Sequence, residues 1–251
     1  MGCWCPSVSG SFGFRLPDLS GYGNHGTLTN MDSGTDWVPS GGKLALDFDG
    51  TDDNIVGGYV LPAPILPNSI SAWVNVRSGT SNRFSFRSHA DVSSSTGVWL
   101  RVNGSNAVIA GYGRNTDSFE VGNSFNIATS TEVIDSSKWV HIAAIIRGLN
   151  NHSIYINGIE ANATYTGTQT AVNGGFVFNI GRIFTGGTNR YGSALSDDIR
   201  YYNRALAPSE IRLLYTGGRG VGLMPERIKH RRKTTAAATN RRRRLICGAN
   251  C

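Results

Sequence analysis

An all-β fold of antiparallel strands is the class this 251-residue sequence predicts, and three observations predict it. Apolar residues recur at every second position in several separate stretches, the period of a strand with one buried face. Asn-Gly dipeptides follow two of these stretches, at the spacing of tight hairpins. Thirty-two glycines, with charged residues at only 16%, suit many short strands joined by turns. The length would hold two small domains, but β-sandwiches reach this size as one.

In chain order, residues 1 to 17 read as a lead-in strand with Trp4, Phe12, Phe14 and Leu16 available for burial. Asp18 to Asp53 is the organising stretch, rich in Gly, Asp, Asn, Ser and Thr. Its Asp-x-Ser-Gly-x-Gly-Asn opening is turn chemistry, in which Gly supplies positive φ and Asx and Ser side chains bond the backbone. Leu44 to Phe48 reads as a strand closed by the turn Asp49 to Asp53, and Asn54-Ile55-Val56 follows. Pro62, Pro64 and Pro67 break the pattern until Ser69, since proline donates nothing to a ladder. Ile70, Ala72, Val74 and Val76 then alternate with Ser71, Trp73, Asn75 and Arg77. Phe84 and Phe86 mark the next strand. Val98, Leu100 and Val102 lead through Asn103-Gly104 to Val108 and Ala110, a hairpin. Asn115 to Asp135 is polar and reads as an edge excursion. Lys138 to Arg147 is the most apolar run and reads as a central strand, with Ser153 to Ile156 and Asn157-Gly158 closing its hairpin. Phe176, Phe178 and Ile180 alternate again, and Ser196 to Tyr202 forms a late strand. Ala207-Pro208-Ser209-Glu210 opens the one expected helix, with Pro at its first position.

The segments DLSGYGNHGTLTN, KLALDFDGTDDNIV, SISAWVNV, KWVHIAAII, SIYINGI, DDIRYYNRAL and APSEIRLLY stand in an order that resembles the laminin-G-like, concanavalin A-like family. The resemblance spans roughly residues 14 to 216. It implies a two-sheet antiparallel jelly-roll sandwich, here with one short carboxy-terminal helix and a basic extended arm, and a tendency to bind sugars or proteins. It does not imply a reaction, because this fold serves many tasks. Relatives usually place Ser or Thr where Ala207 stands, and losing that cap costs on the order of 1 kcal/mol.

Charge divides the chain at about Gly217 into a jelly-roll domain, residues 1–217, and an arm, residues 218–251. Ten of the 24 Lys and Arg residues and one of the 17 acids (Glu226) lie in the arm, giving it a charge of +9 and the body −2. Arg231, Arg232, Lys233, Arg241, Arg242, Arg243 and Arg244 form two basic blocks around a small polar spacer. Such an arm binds nucleic-acid phosphates or threads into a neighbouring protein of an assembly. No aromatic interleaves the arginines, which disfavours stacking on single-stranded bases. Cysteines occur only at the ends, Cys3 and Cys5 with Cys247 and Cys251, and read as free thiols, two disulfides or a non-standard zinc set. No apolar run is long enough to span a membrane, and the amino terminus lacks the features of a signal peptide. Pro6 stands where a myristoylation signal needs Ser or Thr.

For catalysis, no Gly-x-Ser-x-Gly or His-Glu-x-x-His occurs, and Glu120, Glu132, Glu160, Glu210 and Glu226 are isolated. Asp52-Asp53 and Asp197-Asp198 are adjacent pairs, which in strands point to opposite faces. His25 reads as a loop-bonding residue and His141 as a packed strand residue. For a metal, Asp18 and Asn24 offer hard oxygens from one loop. Asp197 shares parity with Ile199 and Tyr201 and is expected to point inward, where it needs a partner. The resemblance implies a structural Ca2+ held by Asp18, Asn24 and Asp197, with Asp198 next to test. The alternative is that these groups simply accept backbone N–H bonds. Tyr112, Arg114, Asn115 and Tyr191 are the loop-tip groups available to a ligand.

The reading these features support is a non-catalytic binding or structural protein. It is displayed on a virion or other extracellular assembly surface, as an oligomer anchored by its arm, and it contacts a glycan or a protein. The layout is also similar to proteins of phage-like sequences. A secreted or cell-surface carbohydrate-binding module is the alternative, and a glycan hydrolase the third.

Overall fold

The computed structural model describes residues 1–59, 65–78, 82–88, 96–114, 125–172, 177–185 and 188–219. Two antiparallel sheets form a sandwich. In the eight-stranded sheet the spatial order is Ile159–Ala161, Asn151–Ile156, Val140–Gly148, Asn68–Val76, Ser193–Tyr202, Lys43–Asp49 and Trp37–Ser40. The eighth strand, Gly2–Trp4, pairs with the far half of Ser193–Tyr202. The nine-stranded sheet runs Ala163–Thr166, Phe125–Val133, Ala107–Arg114, Thr96–Asn103, Asn82–Arg87, Val177–Ile180, Asn54–Tyr59, Gly26–Thr29 and Arg15–Leu16. A small hairpin, Arg182–Thr185 with Thr188–Tyr191, lies beside Asn82–Arg87.

The inner faces are the alternating sets read from the sequence. Ile70, Ala72, Val74 and Val76 of one sheet meet Phe84, Phe86, Leu100, Val102, Val108 and Ala110 of the other, all buried. Trp4 is fully buried in this core, 4.2 Å from Phe178 and 5.7 Å from Phe86 between ring centroids. Gly57 lets the Phe178 ring approach the backbone closely: a Cβ there would sit 1.7 Å from the ring. Val140–Gly148 is buried on both faces, which is why its sequence is nearly all apolar. Its outer side, Ala143 and Ile145, takes Ile211 and Leu214 from the expected helix, Pro208–Thr216, and Leu206 from the segment that leads into it. There Glu210 accepts from the Ala207 N–H at 2.8 Å, but alanine has no oxygen to return the bond. Arg204 holds the Glu210 carboxyl down to about 2.

Three expectations change. Phe12 and Phe14 are 58% exposed, because the chain there runs along the sheet edge. A second helix of one turn, Pro6–Ser9, follows the first strand. Asp197 does not face inward: it pairs with Trp73, and Arg200 pairs with Ser71, so one extra residue is inserted between them. Asp198 absorbs that bulge at φ +50°, and parity with Ile199 and Tyr201 is lost.

Candidate functional site

The organising loop is closed by Asp18 acting on its own backbone. Its Oδ1 accepts from the N–H groups of Cys3 and Ser20, both at 2.9 Å. Its Oδ2 accepts from Ser20 Oγ at 2.7 Å and the Asn24 N–H at 2.9 Å. The Asn24 side chain donates to the Met1 carbonyl at 2.8 Å, and the Asn24 main-chain carbonyl accepts from Trp4 Nε1 at 2.7 Å. His25 Nδ1 accepts from the Asp18 N–H at 3.0 Å. Asp18 and Asn24 are therefore brought together, but with the Asp18 lone pairs already used. This donor set does not fit a cation without breaking the bonds that shape the loop. Asp197 takes other partners: its Oδ1 accepts from the N–H groups of Ser7 and Asp198, and Arg219 Nε stands 3.8 Å from its Oδ2. A separate carboxylate group, Asp49, Asp52 and Asp53, brings oxygens within 4.8 Å of one another at the turn read from the sequence. Burial pushes the Asp53 carboxyl up to about 6, and Asp49, Asp36 and Asp52 add to it.

The outer face of the nine-stranded sheet has a different chemistry. Register places Arg87 opposite Trp99 and Ser85 opposite Arg101. Asn179 lies opposite Arg87 on the other side. These residues alternate with inward-facing Phe84, Phe86, Leu100 and Phe178, so they share the outer surface. The Arg87 guanidinium stacks 5.6 Å from the Trp99 ring centroid. Arg87, Trp99 and Asn179 are buried, at 5%, 3% and 2% exposure. Burial and the neighbouring Arg101 bring the Arg87 guanidinium down to about 10. Burial and Arg190, which is exposed on the small hairpin, do the same for Arg101. The Asn179 Oδ1 accepts from the Arg182 N–H at 3.1 Å, while its buried Nδ2 has no hydrogen-bond partner among the described residues. Guanidiniums, an indole and an amide thus converge on one outer face, where Arg190 is exposed, Arg101 is partly so, and Arg87, Trp99 and Asn179 are buried. Such groups suit a ligand rich in oxygen acceptors. Arg83 is committed elsewhere, to the carbonyls of Arg77 and Gly104.

Of the ligand groups expected from sequence, Tyr112 and Tyr191 are placed away from Arg87 and Trp99. Tyr112 faces the core and donates to the Gln169 carbonyl at 2.7 Å. Tyr191 closes the small hairpin opposite Arg182. Arg114 ends its strand opposite Thr96, and Asn115 lies outside the described residues. The basic blocks Arg231 to Lys233 and Arg241 to Arg244, and Cys247 and Cys251, also lie outside them. Cys3 and Cys5 are free and buried, with burial pushing the Cys3 thiol up to about 12. His141 is buried among Trp73 and Tyr215, and burial lowers it to about 3. The sequence analysis did not single out Arg87, Trp99 and Arg101, because their meeting depends on which strands lie side by side. The signal was a tryptophan at an outward position of the same hairpin.

Comparison with known proteins bears on the fold. The profile of the concanavalin A-like lectin/glucanases superfamily, of laminin G type, matches residues 49–212. No curated protein sequence matches the chain. The binding domain of botulinum neurotoxin DC, solved with rat synaptotagmin II, has a TM-score of 0.60 at 17% identity and covers 86% of this chain and 51% of that one. A botulinum neurotoxin type C structure, described with cell entry dependent on two ganglioside molecules, has a TM-score of 0.58 at 16% identity, covering 86% and 50%. Trypanosoma rangeli sialidase with the inhibitor DANA has a TM-score of 0.58 at 16% identity, covering 88% and 33%. The chain thus spans about half of the toxin chains and a third of the sialidase. At these identities the likeness is one of fold.

Proposed function

The chain belongs to the concanavalin A-like lectin/glucanases superfamily, and from that premise we propose that it is a non-catalytic glycan-binding protein. The observation that carries the reading is the outer face of the nine-stranded sheet, where Arg87, Trp99, Arg101 and Asn179 converge. Aromatic rings cover the apolar faces of sugars, while guanidinium and amide N–H groups donate to hydroxyl, carboxylate or sulfate oxygens. Several similar structures are described with gangliosides, a sialylated ligand or a sialidase inhibitor, which is consistent with this choice.

Binding is preferred to hydrolysis because the described glutamates are engaged elsewhere. Glu132 meets Thr131 and Asn162, Glu160 meets Tyr155, and Glu210 meets Arg204. We read the basic arm as the attachment to a larger assembly, such as a virion surface, because its charge contrasts so sharply with the body.

A panel of neutral, sialylated, uronic-acid and sulfated oligosaccharides, titrated calorimetrically, tests the reading. Binding by at least one class is expected, weakened about tenfold or more by Arg101→Gln and several-fold by Arg190→Glu. Arg190 is exposed, so its replacement does not threaten the fold. Release of reducing sugar from a bound oligosaccharide would instead establish hydrolysis. Absence of binding across the panel would end the proposal.

A further inference from the structure

We propose that the outermost segment of the nine-stranded sheet, residues 163–169, is a strap over one end of the sandwich that acidification releases through His152. Its strand, Ala163–Thr166, pairs on one side only, with Phe125–Val133. Tyr165 Oη donates to the His152 carbonyl at 2.8 Å. Beyond the strand, the Gly167 carbonyl accepts from Asn126 Nδ2 at 2.9 Å, and the Gln169 carbonyl from Tyr112 Oη at 2.7 Å. The Gln169 N–H donates to the Phe125 carbonyl at 3.2 Å. Thr164, Tyr165 and Thr166 are exposed, so the strap buries little apolar surface and is held mainly by these bonds. An edge element of that kind opens at a smaller free-energy cost than the core strands do.

His152 lies beneath the strap. It stands opposite Ile146 and shares parity with Ile154, so its ring points into the space between the sheets. The residue is 5% exposed, and the ring meets Tyr112 edge-on at 5.6 Å and Tyr165 at 5.9 Å between centroids. Neither Nδ1 nor Nε2 has a hydrogen-bond partner among the described residues. A neutral imidazole leaves one donor and one acceptor unmet there, whereas an imidazolium leaves two donors and a charge. Among the described residues the titratable or charged groups around it are Tyr112, Tyr165 and Arg147, and no carboxylate is among them. Burial lowers the imidazole from 6.5 to about 4, against a weaker pull from the Asn126 and Asn151 backbone, and Arg147 adds the smallest push downward. Lifting the strap hydrates both nitrogens and relieves the burial, so the open form binds the proton more tightly. By linkage the strap holds fully above pH 6.5 and loosens as pH falls from there towards 4.

Backbone amide hydrogen exchange, expressed as protection relative to an unstructured chain at the same pH, reads the strap. The reporters are the Gln169 N–H, bonded to the Phe125 carbonyl, and the Thr131 N–H, bonded to the Asn162 carbonyl where the strap begins. Their protection is expected to fall about tenfold or more between pH 7.5 and 5. It should stay below that of Ala144 in the buried central strand at both values, which marks the opening as local. In His152→Phe, which has no proton to take up, the fall should vanish. Protection indifferent to pH in the wild type, or an equal fall in His152→Phe, would overturn the strap. If that variant fails to fold, the His152 ring resonances of the unmodified chain decide. A ring that stays neutral down to pH 5 while the Gln169 amide loses protection supports the proposal. A ring that titrates near 6.5 with that amide still protected would overturn it, because the closed form would then accept the proton.

Discussion

Replacing Asp198 with Asn is expected to destabilise the protein by about 3–5 kcal/mol, because it removes the carboxylate from a buried ion pair. Arg200 Nε lies 2.5 Å from Asp198 Oδ1, and both side chains are only 2% exposed. Asn tolerates the φ of +50° at this bulge, so the backbone is kept and the effect is that of charge. Against a total stability of roughly 5–15 kcal/mol, such a loss is large. It corresponds to a melting temperature lower by about 10 °C or more. Adding Arg200→Met should restore much of the loss, since it removes the buried charge that Asp198→Asn leaves without a partner. Thermal melts of the two variants check this. Asp198→Asn within about 1 kcal/mol of wild type would mean that the guanidinium is not confined as the structure has it.

The second large effect is expected from Trp4→Ala, at about 3–5 kcal/mol for truncating a fully buried aromatic. The indole packs on Phe86 and Phe178, and its Nε1 satisfies the Asn24 carbonyl, which the substitution leaves unpaired. Trp4→Phe should retain most of the packing and lose mainly that bond, on the order of 1 kcal/mol. Both are read from urea unfolding midpoints. Trp4 lies outside the family match, residues 49–212, yet it fills the centre of the sandwich. A small effect of Trp4→Ala would show that the amino-terminal strand is an accessory to the sandwich.

Most strands were legible because one face of each is buried, and burial writes a period of two into Ile70 to Val76 or Val98 to Val102. Val140–Gly148 was legible for the opposite reason, since helix Pro208–Thr216 covers its outer side. Asp197 was misplaced because parity fails across a bulge, and nothing local distinguishes Asp198 as the extra residue. Phe12 and Phe14 look like core residues, but their exposure is set by the edge position of the chain, a tertiary fact. Asp18 and Asn24 were correctly joined in one loop. What sequence could not decide was whether their oxygens face an ion or the backbone, because both uses need the same residue types. The Trp99 surface depends on which strands are neighbours: Val177–Ile180 brings Asn179 to Arg87 across about 90 residues of chain.

The central claim, that a glycan binds on the outer face of the nine-stranded sheet, is tested most directly by the indole N–H resonances of the five tryptophans. They are spread over the molecule: Trp4 in the core, Trp37 at a sheet edge, Trp73 and Trp139 on the side of the eight-stranded sheet, and Trp99 beside Arg87. Titration with the tightest oligosaccharide of the panel is predicted to shift the Trp99 resonance and leave the other four in place. A saturating shift of Trp73, Trp139 or Trp37 with Trp99 unmoved would place the ligand elsewhere and contradict the account.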